Sequence, residues 1–555
     1  MNDPSSNVAR HLRHAALNNP QAIATLSPLS VNEDGRVIHD WCSFLKLDQE
    51  SDATARIFHA EGITAGTRTL LAVRPGHDLI VCMFGLLKLG AIPIAIDPGM
   101  GWKKMLPCIE NTTPTALVAQ SKPFYLSYLP FKAFKSLHCR IKVGGRSWNK
   151  LLSDCSTSTV RTLEPVTASS LAAIVFTSGS TGTPKGVRYT HGMFDAQISL
   201  IRKTYQIQPG EVDMAMLPVF GLFNPALGVT TVTPLLDPSR PADANPALLV
   251  SALLSEKVTS SFGSPAIWGK ISQYCETQKI SLPLLKRLLI AGAPVPIPLL
   301  KQLKKIAPHC QIHTPYGATE CLPVSSIESN EILNETFAET LRGQGTCVGK
   351  PVASVKVKII QETSDVIRNL SDATVYAPNT IGEIMVTGPS VTHAYDHNPE
   401  ATLRTKINGE AELWHRMGDL GRLDYDGRLW FHGRCIEKVI TAKSILTTES
   451  VEPAFQQHPD VARCALIGIG NAPNQIPVLV VEPKPDCFPE SRGEIIKFTE
   501  SLWEITRLHP IASQVKRIVF QEKLPVDVRH NAKIHRLQLT REWNQKLRRE
   551  IKKLS

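Results

Sequence analysis

Residues 177–186 read TSGSTGTPKG and follow directly on the apolar run Leu171–Phe176. Six consecutive apolar residues ahead of turn formers have the length and composition of a buried parallel strand. Gly179, Gly182 and Gly186 let the backbone turn tightly and approach an anion, while Thr177, Ser178, Ser180, Thr181 and Thr183 add donors and Lys185 adds charge. The loop is therefore expected to hold phosphate, and the residues after Gly186 to enter a helix. It is not a Walker loop, because Lys185 is followed by glycine rather than serine or threonine. Ser, Thr and Gly also make ordinary surface loops, so the assignment rests on the elements that follow it.

With 555 residues, 43% of them hydrophobic, the chain is long enough for more than one core. Strand-like runs at 68–73, 171–176 and 287–290 alternate with helical patterns, which predicts an α/β fold of layered sheets and helices. The apolar stretch 79–96 is interrupted by Lys88, Gly90 and Pro93, so a buried helix followed by a strand is expected there, not a bilayer span. Twelve cysteines without a C-x-x-C pair indicate neither a disulfide framework nor a structural zinc site, and the first twenty residues lack the apolar core of a secretory signal. A cytoplasmic protein is expected.

The net charge of +11 does not call for nucleic acid, since residues 536–555 alone carry seven basic and two acidic groups. In that tail Leu539, Trp543, Leu547, Ile551 and Leu554 recur at helical spacing. Such a basic amphipathic helix either packs on its own domain or makes a peripheral membrane or partner contact. Around residue 426, Asp-Gly between alternating apolar positions signals a hairpin, and a domain boundary is placed just after it, near Arg434. That gives an N-terminal unit at 1–433 and a smaller α+β unit at 434–555.

Further motifs follow in order. In Tyr316-Gly317-Ala318-Thr319-Glu320 the tyrosine face can stack on adenine, Thr319 can bond a phosphate oxygen and Glu320 can ligate Mg2+. Gly292, Ala293 and Pro294 form a turn, Asp419 lies in Arg416-Met417-Gly418-Asp419, and Arg434 follows Gly433. Lys533 lies in the string PVDVRHNAKI at 525–534. A lysine can stabilise the negative charge that grows on phosphoryl oxygens during group transfer.

Taken in sequence order, these elements resemble the acyl-adenylate-forming superfamily, which includes acyl-CoA synthetases, nonribosomal-peptide adenylation domains and luciferases. The resemblance implies a large N-terminal domain, a mobile C-terminal domain, and ATP with Mg2+ as cofactors. It further implies that the turn at Gly292 walls the adenine, that Asp419 accepts from the ribose hydroxyls, that Arg434 reaches the nucleotide, and that Lys533 is the catalytic lysine.

The chain departs from ordinary acyl-CoA ligases at four places. Gly221 stands where many members carry a gating histidine, Ile436 stands at the hinge, Ala442 lies near a glycine that lets pantetheine pass, and Ala532 precedes Lys533. Three of these touch parts that serve thioester formation. The strings 262–266, 314–324, 345–349 and 525–534 resemble the branch comprising bacterial olefin-biosynthesis β-lactone synthetases. That branch implies activation of a 2-alkyl-3-hydroxy fatty acid as acyl-AMP, and closure by its own 3-hydroxyl. An acyl pocket walled between Phe194 and Phe223 is implied, together with assembly beside a reductase and a β-lactone decarboxylase. His191 and His530 stand as candidates for a base or for structural roles, and transfer to CoA or another thiol is the alternative reaction.

Overall fold

Unbroken apolar runs become the interior strands of two large sheets. A computed structural model of the chain describes residues 6–156, 163–176, 184–237, 240, 243–507, 509–527 and 533–554. One sheet has six strands in the order Cys139–Lys142, Ala116–Ala119, Arg68–Ala72, Ile92–Ala95, Leu171–Phe176 and Gly186–Thr190. All neighbours are parallel except the last pair. Ala116–Ala119 is buried along its whole length, as a strand covered on both faces must be. Ala116 and Val118 pack into one apolar cluster with the helices Phe44–Ala60 and His77–Lys88. Leu117 and Ala119 pack on the opposite face with the helix Trp102–Thr112 and the 3₁₀ turn Lys132–Phe134.

The second sheet has fourteen strands. Its parallel part runs Gln311–Ala318, Arg287–Ile290, Ser260–Gly263, Val212–Ala215, Thr230–Val232 and Ile23–Val31. Antiparallel strands extend it beyond Gln311–Ala318 through the hairpin of Leu413–Leu423 and Leu429–Arg434 to Gly382–Thr387 and Lys356–Ile360. Asp424 closes that hairpin by accepting from the backbone N–H of Asp426 and Arg428, with Gly427 at φ +77°. After Arg434 the chain forms a three-stranded sheet of Val461–Ile469, Ile476–Pro483 and Arg517–Phe520, with its own core. The layered α/β architecture with its sheet-rich N-terminal part matches the sequence expectation.

One local expectation fails. Residues after Gly186 do not enter a helix at once but form the strand Gly186–Thr190, antiparallel to Leu171–Phe176. Val187 and Tyr189 are buried while Arg188 between them is exposed, so the period-2 burial of a strand governs this stretch. The helix begins at His191, where the Thr190 hydroxyl accepts from Met193 N.

Lys88, which interrupts the apolar run at 79–96, is fully buried at the end of the helix His77–Lys88. Its ammonium lies 2.5 Å from Asp48 Oδ1 and 2.7 Å from Asp52 Oδ1, and Arg13 contacts both aspartates. Burial lowers the pKa of Lys88, and the two aspartates oppose that shift. Removing the cation leaves two buried carboxylates sharing one arginine. Lys88→Met is expected to destabilise the fold by roughly 3–5 kcal/mol, read as a lowered urea midpoint at unchanged m. An unaltered midpoint would show that the network contributes nothing.

The terminal helix Arg536–Leu554 packs on its own sheet. Leu539 and Leu547 are buried against Ala465, Ile467 and Val480, and Trp543 joins them. The apolar stripe is thus covered as far as Leu547. Among the described residues no helix is long and apolar enough to cross a membrane.

Candidate active site

The strands Gln311–Ala318 and Cys321–Glu328 leave a two-residue tip, Thr319-Glu320, after the pair Ala318 and Cys321. Gly317 is required by that hairpin itself: a Cβ there would lie 2.6 Å from Cys321 O. Two tyrosines fix the tip. The Tyr189 hydroxyl donates to Thr319 O, and the Tyr395 hydroxyl donates to Glu320 Oε1 at 2.6 Å. Burial and the nearby Glu320 carboxylate push both phenols far above their ordinary pKa, so they remain donors. Glu320 Oε2 takes no hydrogen bond from any described residue.

A second cluster forms on the hairpin 413–434. Asp419 Oδ2 accepts from the Tyr316 hydroxyl at 2.6 Å, and the Arg434 guanidinium lies 3.0 Å from Oδ1. Asp419 is 4% exposed, and Oδ1 receives no well-aligned hydrogen bond. A buried carboxylate oxygen with spare acceptor capacity is suited to a hydroxyl pair such as that of ribose. Arg434 has its pKa raised chiefly by Asp419. Lys533 joins this cluster from the C-terminal part. Its pKa is lowered to about 8 by burial first and by Arg434 second, against the pull of Asp419.

Lys185, Gly292, Gly317, Thr319, Glu320, Arg434 and Lys533 all line one cavity of about 2120 Å³. Its walls come from both sheets, with Ala173 and Val175 on one side and Ala215 and Thr231 on the other. That is about twice the upper range for drug-sized ligand pockets, room for a nucleotide together with a long acid. An apolar part runs past Phe194 and Phe223, whose rings meet edge to face at 6.1 Å, to Ile80, Met83, Phe84 and Leu87. Lys185 Nζ stands 4.9 Å from the Tyr395 ring centroid.

Other sequence candidates fall elsewhere. Thr177, Ser178, Gly179, Ser180, Thr181, Gly182 and His530 lie outside the described residues. Gly292 lines the cavity at φ +97°, a glycine-favouring turn, whereas its neighbours Ala293 and Pro294 do not line it. Tyr316 also stands back from the cavity surface, its ring 5.6 Å from Phe431, and it supports Asp419 through its hydroxyl. His191 is fully buried off the cavity, and its Nδ1 accepts from Val8 N. Burial lowers its pKa to about 4. Arg416 pairs with buried Glu383 at 2.6 Å and braces the hairpin.

Sequence reasoning passed over Tyr189, Tyr395 and Lys406. Lys406 is buried, donates to Thr392 O and lies 6.0 Å from the Tyr395 ring centroid, and burial takes its pKa down to about 8 against the pull of Glu320. The alternation of Val187 and Tyr189 was a readable signal for the first; the others come from segments more than seventy residues from Glu320.

The family described as AMP-binding enzyme matches residues 12–396. Olefin beta-lactone synthetase of Xanthomonas campestris pv. campestris is 39% identical over 549 residues, covering 96% of each chain. The enzyme of the same name from Stenotrophomonas maltophilia is 38% identical over 556 residues, covering 97% of this chain and 98% of its own. Among solved structures, the amide bond synthetase McbA from Marinactinospora thermotolerans superposes with a TM-score of 0.77 at 19% identity, covering 97% of this chain and 99% of that one. The O-succinylbenzoate coenzyme A synthetase MenE from Bacillus subtilis, in complex with AMP, gives 0.73 at 19% identity over 95% and 97%. These two likenesses are of fold.

Proposed function

The chain belongs to the AMP-binding enzyme family, and from that premise we propose that it converts a 2-alkyl-3-hydroxy fatty acid into a β-lactone at the expense of ATP. The observation that carries the proposal is the near full-length similarity to two olefin β-lactone synthetases. The large apolar cavity beside a nucleotide-sized polar end fits a substrate with two alkyl arms.

In the first step a carboxylate oxygen of the acid attacks the α-phosphorus of ATP, forming the acyl-AMP anhydride and releasing pyrophosphate. Asp419 and Arg434 orient the nucleotide, residues 177–182 with Lys185 hold its phosphates, and the turn at Gly292 walls the base. Lys533 stabilises the charge that builds on the phosphoryl oxygens. Thr319 bonds a phosphate oxygen, and Glu320, with one oxygen held by Tyr395 and the other taking no hydrogen bond from any described residue, offers a hard ligand for Mg2+. The metal would neutralise phosphate charge there. In the second step the 3-hydroxyl oxygen attacks the acyl carbonyl carbon, the bond to AMP breaks, and the hydroxyl proton leaves with the AMP phosphate. Ring closure is intramolecular and needs no second substrate channel.

Residues 1–433 form the binding domain and 434–555 the mobile lid that brings Lys533 in. Gly221 suits an enzyme without a thiol gate. A Cβ there would already stand 3.3 Å from Thr231 Cγ2, so a histidine would require the cavity wall to shift. The enzyme acts in the cytoplasm between a reductase that supplies the 3-hydroxyl and a decarboxylase that consumes the lactone. If those partners dock on the terminal helix, they use its polar side, for Leu539 and Leu547 belong to the core.

Product release without a thiol tests the proposal. With MgATP and a 2-alkyl-3-hydroxy acid, AMP is expected to accumulate over many turnovers. The matching acid lacking the 3-hydroxyl is expected to give a pyrophosphate burst of one per enzyme and then stop. Turnover of both acids only after CoA is added would contradict ring closure and indicate an acyl-CoA ligase.

A further inference from the structure

More than half of the chain's net charge sits in a short stretch far from the tail. Residues 101–142 carry seven basic groups, Lys103, Lys104, Lys122, Lys132, Lys135, Arg140 and Lys142, against the single acid Glu110. That is +6 of the +11, and with the +5 of residues 536–555 it leaves the rest of the chain neutral. All six lysines are exposed.

The same stretch exposes large aromatic and aliphatic side chains. Tyr125 is 60% exposed, Tyr128 62%, Leu129 44%, Trp102 43% and Phe131 42%. They project from the layer made by the helix Trp102–Thr112, the helix Ser121–Leu126 and the turn Lys132–Phe134, which covers one face of the six-stranded sheet. Basic groups stand directly over the rings: Arg140 lies 4.9 Å from the Tyr128 centroid, and Lys142 lies 5.1 Å from that of Tyr125. Exposed Trp102, Ser121 and Lys122 also line the large cavity, so the cavity reaches the surface on this face.

We propose that this aromatic and lysine-rich face docks the enzyme on an anionic lipid surface. Tyrosine and tryptophan settle at the headgroup level, where one edge is apolar and the other wet. Clustered lysines add attraction to anionic headgroups within a Debye length. No net acidic charge opposes them in this stretch, and the cavity opening beside them gives a long-chain acid a path from the lipid without crossing water. The docking face is separate from the terminal helix, whose apolar stripe is already covered by its own sheet.

The test is co-sedimentation of the full chain with vesicles. Vesicles of phosphatidylcholine with about one part in three phosphatidylglycerol are expected to pellet the protein at low salt, and pure phosphatidylcholine vesicles are not. Raising salt should release it. The variant K103E/K104E/K132E/K135E is expected to weaken vesicle binding by about tenfold or more, while adenylation of a short, water-soluble acid is unchanged. A milder variant, Y125S/Y128S, should weaken binding at low salt while leaving all six lysines in place. A second charge variant in the tail, R541E/K546E, should bind as the parent does. The proposal falls if the parent ignores anionic vesicles at low salt, which would leave this face to a protein partner. It falls equally if the lysine variant binds as well as the parent, or if the tail variant alone loses binding.

Discussion

Lys533→Ala is expected to lower ATP–pyrophosphate exchange by about two to three orders of magnitude, the effect of removing one preorganised donor from a developing oxyanion. Lys533 lies in the cavity wall, and the charge of Arg434 lowers its pKa, second only to burial. That arrangement is costly unless an anion sits between them, which is what a triphosphate supplies. The loss should appear in kcat with little change in the KM for ATP, because the charge being stabilised grows only on the way to the transition state. Its lowered pKa of about 8 adds a pH signature. The ammonium form does the work, so exchange should hold below that value and fall as pH rises through it. Lys533→Arg, which stays charged, should remove that falling limb while keeping part of the rate. Exchange by the alanine variant at the parental rate would dismiss the role given to Lys533.

Asp419→Ala is expected to raise the KM for ATP by about two orders of magnitude or more. A carboxylate accepting two ribose hydroxyls contributes roughly 1.5–3 kcal/mol per bond. The substitution also strands Tyr316 and Arg434, which both turn on Asp419 in the folded protein. Binding of a fluorescent ATP analogue separates the two consequences. Weak binding by a variant with a parental urea midpoint identifies the ribose contact, whereas weak binding with a lowered midpoint assigns the loss to folding. Unchanged affinity would remove Asp419 from the nucleotide site.

Much of this was legible along the chain because the informative features are local. The strand Leu171–Phe176, the hairpin at Asp426-Gly427 and the segment 316–320 each declare themselves within a dozen residues. What escaped depends on distant partners. Tyr395 holds Glu320 from 75 residues away, and nothing in its neighbourhood announces that hydroxyl as a donor. Tyr316 looks like a stacking platform in isolation, yet folding spends its hydroxyl on Asp419, 103 residues on. Lys88 reads as an interruption of an apolar run and proves to be the centre of a buried charge network supplied by the preceding helix. The strand Gly186–Thr190 was missed for another reason. Five residues carry only two inward positions, and the glycine-rich loop before them suggested a strand-to-helix turn.

The same distinction applies to charge. A count over the whole chain gives +11 without saying where it lies, and only the packing of residues 101–142 on one sheet face turns part of it into a surface. The apolar arm of the cavity is likewise a product of tertiary structure, since Met83 and Phe84 reach it from one layer and Phe223 from another.

The most direct test of the account is proton NMR analysis of the product formed by the purified chain from MgATP and a synthetic 2-alkyl-3-hydroxy acid, with and without CoA. The ring protons of a β-lactone are expected in both samples, in equal amount and matched by AMP. A thioester that appears only with CoA, and no lactone in either sample, would contradict it.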